Sequence, residues 1–347
     1  MTALAAAVRA YSIAARRRSM LLPGALLLGL TLLPLFISDP NAIRLLFVTY
    51  VWLTTSVAWN LIGGYAGQVS FGFAVFFGLG AYTSALAISS GVNPFIAFLG
   101  SAVVAALASL VIGLPTFRLR GPYFAIATIG ISEAVRVVMT NLNFTGGASG
   151  YRIREPGAFN QIEHYYSALA LAAFAVGMSM VVSRAKFGLG LRAIRQDEDA
   201  AADVGVNPYL YKLAAHALAG ALTGIAGGVF ARYAAFIHPE GVFGFHTSVR
   251  ILLLPVIGGL ATVWGPVIGG VVFGIVEEQI VASFPQIHLL LYGSLLVLII
   301  LVEPGGILGG VRKLIRRVRG KPASKRPDPQ SREADEVLWG AGRGQGR

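Results

Sequence analysis

Few side chains in this sequence have the type and spacing that covalent chemistry requires. The chain has no cysteine, and its five histidines are scattered without the spacing of metal ligands. Neither a GxxxxGK[ST] phosphate loop nor an HExxH helix occurs, and nothing resembles a catalytic triad. Thiolate catalysis, cysteine-ligated metals and Walker-type ATP hydrolysis are excluded, so the chain reads as no enzyme, with no metal or cofactor of its own. What remains is charge in unusual places. Glu133 and Arg136 stand three apart in an apolar run, neighbours on one helical face, and read as an intramembrane pair. Glu277 and Glu278 lie near the end of another apolar run, and His216 is a lone polar group on a glycine-rich helix; a satisfied packing role is the simplest reading of each.

The densest charge lies in a segment bounded at 184–208, between two apolar runs. Leu191, Ile194, Ala201 and Val204 recur at roughly helical spacing and give it one apolar side. Arg192, Arg195, Asp197, Glu198, Asp199 and Asp203 leave the other sides charged. Gly205 then marks a helix stop, and Asn207-Pro208 a turn. A polar helix between two spans must lie outside the lipid, where it offers a grip to a soluble partner.

The elements that position these residues follow from composition. With 55% hydrophobic and 13% charged residues, the chain lies far from the roughly 25% charged content of soluble domains. Apolar runs near the roughly 20 residues that cross a hydrocarbon core, without period-2 patterning, predict an all-α polytopic bundle of about 8–10 spans. The candidate spans are Met20–Ser38, Ile43–Ile62, Val69–Ile88, Pro94–Leu114, Tyr123–Met139, Tyr165–Val182, Leu210–Ala231, Val249–Leu260, Pro266–Val281 and Leu289–Val302, several of them short or broken, with 249–281 open to a re-entrant reading.

The net charge of +12 sits mainly between spans and at the ends, which is a topology signal and not a nucleic-acid footprint. Residues 1–19 form a basic N-terminus, 20–310 the membrane domain and 311–347 a basic tail of disorder-like composition. Alternating the spans places Arg118, Arg120, Arg184, Lys186, Arg192 and Arg195 with the tail on the positive side. Both termini and the 184–208 segment are therefore expected in the cytoplasm, with Arg44, Arg152, Arg154 and Arg232 opposite. The basic stretch from Arg312 is expected against anionic headgroups.

Three glycine-rich stretches complete the pattern. Gly63 to Tyr82 carries Gly67, Gln68, Ser70, Gly72, Gly78 and Gly80, too much glycine and polarity for a span facing lipid alone. It is expected in the interior, either lining a translocation path at a helix break or packing closely on another helix. Gly220, Gly224 and Gly228 stand four apart and present one face for close helix packing. Gly258 to Gly274 contains a Trp264-Gly265-Pro266 break between two apolar pieces.

Taken together, GYAGQVSFGFAVFFGLGAYTSA, the run from Phe187 to Ala231 and SVRILLLPVIGGLATVWGPVIGG resemble the permease subunits of bacterial ABC importers for branched-chain amino acids, in particular the LivM-type member of the LivH/LivM permease family. TGGASG and EPGGILGG extend the resemblance over roughly Asn60 to Gly310. It implies an inner-membrane subunit paired with a second permease of the same family, two cytoplasmic ATPases that bind the ATP, and an external solute-binding protein. It also implies that Arg192 to Gly205 is the coupling element for the ATPase. Phe73, Arg250 and Glu303 depart from residues frequent in that family, so contacts inherited there are unsafe. A permease for urea or short amides is the alternative within the family. An ion-coupled carrier using Glu133, Glu277 and Glu278 is the alternative outside it.

Overall fold

A computed structural model of the chain describes residues 24, 26–36, 39–155, 159–283, 287, 290–291, 293–294, 297–298, 301 and 305–318, less the side chains of 275–283, 312 and 315–318. The basic N-terminus 1–19, the tail beyond 318, parts of the candidate spans Met20–Ser38 and Leu289–Val302, Glu303 and the Glu277 and Glu278 side chains lie outside the described residues. The chain divides into two units, Met1–Leu308 and Gly309–Arg347, and the bundle belongs to the first.

Helix α1 (Leu26–Leu35) is followed by α2 (Pro40–Trp59), which runs on through one π-helical turn, Asn60–Tyr65. Then come α3 (Phe73–Ser89), α4 (Pro94–Thr116), α5 (Pro122–Asn141) and α6 (Gln161–Arg184). Two short helices, α7 (Lys186–Gln196) and α8 (Glu198–Asp203), lead to α9 (Pro208–Ala234). Helices α10 (Pro239–Phe243), α11 (Phe245–Gly258), α12 (Trp264–Ser283) and α13 (Gly306–Val318) complete the described chain. Strands β1 (Tyr151–Arg152) and β2 (Phe236–Ile237) form one short antiparallel pair, Tyr151 opposite Ile237.

Local chemistry sets where the helices begin. Asp39, Asn93, Asn160 and Asn207 each accept backbone N–H groups of the first turn that follows, and Pro occupies the first helical turn of α2, α4, α5 and α9. Among the described residues, six helical stretches are long and apolar enough to cross a membrane: Pro40–Tyr65, Pro94–Thr116, Pro122–Asn141, Gln161–Arg184, Pro208–Ala234 and Pro239–Gly258. Leu26–Leu35, Phe73–Ser89 and Trp264–Gly274 are shorter apolar helices. Six long and three short apolar stretches, with a further candidate largely undescribed, make a polytopic all-α bundle. The short span expected from Val249 is lengthened at its start by α10, so that 20 residues from Pro239 to Gly258 act as one apolar element, bent at Gly244.

The core is built around α2, α3 and α9. Trp59, Tyr65, Tyr82, Phe73, Phe76 and Phe77 are among its largest fully buried side chains. Helix α4 shows the two-faced design of a peripheral span. Ala97, Ser101, Ala105, Ser109 and Gly113, four apart, are buried, while Phe95, Leu99, Val103, Leu107 and Val111, also four apart, are exposed. The small face lies on the Gly220-Gly224-Gly228 ridge of α9: a Cβ on Gly220 would meet Ser109 at 2.7 Å, and one on Gly224 would meet the Ser101 carbonyl at 2.6 Å. The large face is left for lipid.

Candidate coupling site

The loops sort to two ends of the bundle. One end gathers the α2–α3 turn (66–72), the α4–α5 turn, helices α7 and α8, and the α11–α12 turn (259–263). The other gathers the β-pair and the charged groups near it.

At the first end, the charged segment is two helices and not one. Helix α7 stops at Asp197, whose side chain accepts from Asp199 and Ala200 N–H at 2.9 Å each and so caps α8. Gly205, at φ +87, then takes the left-handed conformation that ends the segment without the penalty a Cβ brings. Leu191, Ile194 and Ala201 are buried as the apolar side, but Val204 is 77% exposed. The break at Asp197 resets the helical phase, and Val204 no longer shares the face of Leu191.

Several charges of this segment turn back into the bundle. Arg195 Nη1 donates to the Gly64 carbonyl at 2.8 Å, and Arg192 Nη2 to the Ser183 carbonyl at 2.8 Å, with the Arg192 guanidinium 5.3 Å from the Tyr65 ring centroid. Glu198 Oε1 accepts from Lys212 Nζ at 2.7 Å, and the Lys212 side chain is only 1% exposed. Asp199 is held from the α4–α5 turn by a two-pronged contact from Arg120, at 2.9 and 3.2 Å. That guanidinium keeps the Asp199 carboxyl below its ordinary range. Leu189, Ala202, Asp203 and Val204 are left facing outward.

The glycine-rich stretch meets this segment from inside. Non-helical backbone is confined to 66–72, where Gly67 at φ +75 lies against Arg195 and requires both a left-handed backbone and the absence of a side chain. Gln68 N–H donates to the Ile62 carbonyl at 3.1 Å, and the buried Ser70 accepts through its carbonyl from Trp59 Nε1 at 2.8 Å. Gly72 backs onto Thr128, whose hydroxyl accepts from Phe71 N–H at 3.1 Å. Gly78 and Gly80 lie apart from the turn, inside α3, where Phe243 and the Gly224 backbone occupy the space a side chain would need. They are close-packing positions. An apolar cavity of about 240 Å³, lined by Leu27, Tyr50, Leu169, Val176 and Trp264 among others, contains none of these glycines in its wall.

The 259–263 turn is anchored by a residue to which sequence reasoning gives no role. Asn60, fully buried at the start of the π-helical turn, accepts from Ala261 N–H at 3.0 Å and donates to the Thr262 carbonyl at 2.9 Å. Its signal in the sequence is a single amide in an apolar run, which is costly unless bonded. Lys212 carried the same kind of signal. His216, also buried, sits edge-on to Phe73, Phe76 and Phe117.

At the opposite end, Arg136 pairs with Glu133 on its own helix and also with Glu240 of α10 at 2.7 Å. Arg232 donates to Glu155 at 2.7 Å and to Glu163 at 2.6 Å. The expected Glu133–Arg136 contact is thus part of a cross-link between α5 and α10. Among the described residues, no three acidic or histidine side chains are grouped to hold a metal ion.

A bundle of apolar helices, two-faced towards lipid and carrying a short charged pair of helices at one end, defines a multi-pass membrane protein. The family model for the branched-chain amino acid transport system, permease component, matches residues 41–300, and the chain belongs to that family. It is 26% identical over 317 residues to the high-affinity branched-chain amino acid transport system permease protein LivM of Salmonella typhimurium, covering 82% of this chain and 74% of that protein. The LivM of Escherichia coli K12 is likewise 26% identical over 316 residues, with 82% and 74% covered. A probable branched-chain amino acid transport permease protein LivH of Methanocaldococcus jannaschii is 27% identical over 303 residues, with 84% and 90% covered. No solved structure matches.

Proposed function

We propose that this chain is the membrane-spanning permease subunit of an ATP-driven importer, carrying leucine, isoleucine and valine handed over by an external solute-binding protein. It works beside a second permease of its family, and two cytoplasmic ATPases bind and hydrolyse the ATP. The observation that carries this reading is the α7–α8 segment. It is fixed to the bundle by Arg195, Glu198 and Asp199, yet it leaves Leu189, Asp203 and Val204 facing outward. A carrier working alone has no use for such a docking element. The positive-inside rule supports a cytoplasmic position for it and for both termini, and a bacterial inner membrane is the compartment that goes with this reading. Closure of the ATPases would push α7 and α8 and tilt the spans they join, α6 and α9, so that the central path opens alternately to each side.

The test is uptake of labelled leucine and labelled urea by native cells with the gene deleted and then restored, with ATP-depleted cells as control. Leucine uptake that is lost on deletion, rescued on restoration and abolished by depletion is the expected result. Urea dependence alone would replace the cargo, and uptake that survives removal of the ATPases would overturn the importer.

A further inference from the structure

One turn of π-helix connects three separate parts of the chain. At its start Asn60 holds the 259–263 turn through two hydrogen bonds to backbone, 3.0 Å from Ala261 N–H and 2.9 Å to the Thr262 carbonyl. Near its end the Gly64 carbonyl accepts from Arg195 of α7 at 2.8 Å. Just before it, Trp59 Nε1 donates to the Ser70 carbonyl at 2.8 Å and pins the 66–72 turn to the same stretch.

The fit is close. A Cβ on Gly64 would collide with the Asn60 amide and come within 2.9 Å of Ala261 N. Ala261 itself has φ +57, a left-handed backbone that costs a residue with a Cβ and persists only where surrounding contacts enforce it. Asn60 supplies that contact from both its amide atoms. π turns are rare and are frequent at functional positions, and this one closes α2 just before the 66–72 turn.

We propose that Asn60 is a positioning residue for transport. It fixes the 259–263 turn to the π turn, to which Trp59 and Ile62 hold the 66–72 turn, and Arg195 ties that lock to α7. Displacement of the coupling segment then reaches both turns directly through Asn60–Tyr65, in addition to tilting α6 and α9. The proposal rests on α7–α8 being the ATPase-docking element.

The test uses the complete membrane complex purified through this chain from its native host and reconstituted with its binding protein, with labelled leucine uptake and ATP hydrolysis measured in the same vesicles. Asn60→Ala is expected to hydrolyse ATP within about twofold of wild type while leucine carried per ATP falls about tenfold, and Arg195→Ala to lower leucine carried per ATP likewise, whatever its own rate of hydrolysis. Arg195→Lys keeps a donor for the Gly64 carbonyl and should restore most of that ratio. The double alanine variant should be no worse than Asn60→Ala alone, because both break one path. A wild-type ratio in either alanine variant overturns the lock, as does a parallel fall of uptake and hydrolysis in an intact complex.

Should Asn60→Ala not assemble, Arg195→Ala decides alone. A readout free of cargo exploits the absence of native cysteine: spin labels on Val69→Cys and Val204→Cys, both exposed positions, report the distance from the first turn to the coupling segment. That distance should stay single and constant with and without ATP in wild type and broaden in Arg195→Ala. Identical distributions in the two proteins overturn the proposal while leaving the importer intact. A wild-type preparation devoid of ATPase overturns both.

Discussion

Lys212 shows how much a single buried charge depends on its partner. Its ammonium, on a side chain 1% exposed, has Glu198 as its carboxylate and the Phe117 ring 5.9 Å away. Removing one member of a buried pair strands the other, whereas replacing the buried cation by an apolar group of similar size is often close to neutral. Glu198→Ala should therefore destabilise the protein by roughly 3 kcal/mol, and Lys212→Met by much less. Thermal unfolding of the purified chain in detergent measures both. Ala261 offers the opposite case. Glycine at that left-handed position removes the Cβ penalty, so Ala261→Gly is expected to be neutral or stabilising by about 1 kcal/mol in the same assay.

At the scale of elements, helix contact here is made by absent side chains. Helices α3, α4 and α9 meet where Gly80, Ser101, Ala105, Gly224 and Gly228 bring backbones together, and the Ser101 hydroxyl donates to the Gly80 carbonyl at 2.8 Å. Gly224→Val has no space to form without separating α4 from α9 and should cost at least about 3 kcal/mol or prevent accumulation of the protein. Gly130 in the interior of α5 has nothing within 4 Å of a Cβ, so Gly130→Ala should stabilise the protein by roughly 0.5–1 kcal/mol and raise the melting temperature. Helix α9 also carries Lys212, Arg232 and the glycine ridge, so the coupling end, the packing core and the opposite charged end share one rigid element. A push on α8 through Glu198 therefore acts on α9 at its first turns.

For the whole molecule, the sidedness of the two ends decides the physiological direction of every argument above. The end with α7 and α8 carries Arg118, Arg120, Arg184, Lys186, Arg192 and Arg195; the far end holds Arg136 and Arg232 in pairs with acidic groups. Because the chain lacks native cysteine, single cysteines report their side without background. A membrane-impermeant maleimide should label Phe159→Cys in intact spheroplasts and Val204→Cys only in inverted vesicles. The reverse pattern would invert the topology and remove α7–α8 from reach of any cytoplasmic ATPase. Both positions are exposed, at 62% and 77%, so failure to label reflects the membrane and not burial.

The sequence by itself determined the class of molecule, because apolar runs long enough to span a bilayer have one stable backbone solution there, and because basic residues between spans are sorted by side. It also located the helix boundaries that depend on nearest neighbours, such as Asn207-Pro208 and Gly205. Only the tertiary structure decided which charged residues face a partner. Arg192, Arg195, Glu198 and Asp199 look alike in sequence to Asp203, yet their hydrogen bonds go to residues 9, 131, 14 and 79 positions away. The same holds for the glycines: Gly67 and Gly72 make a turn, whereas Gly78 and Gly80 make room for α10 and α9. Periodicity records a residue's own helix, while the identity of a partner from a distant part of the chain is fixed only when the helices pack.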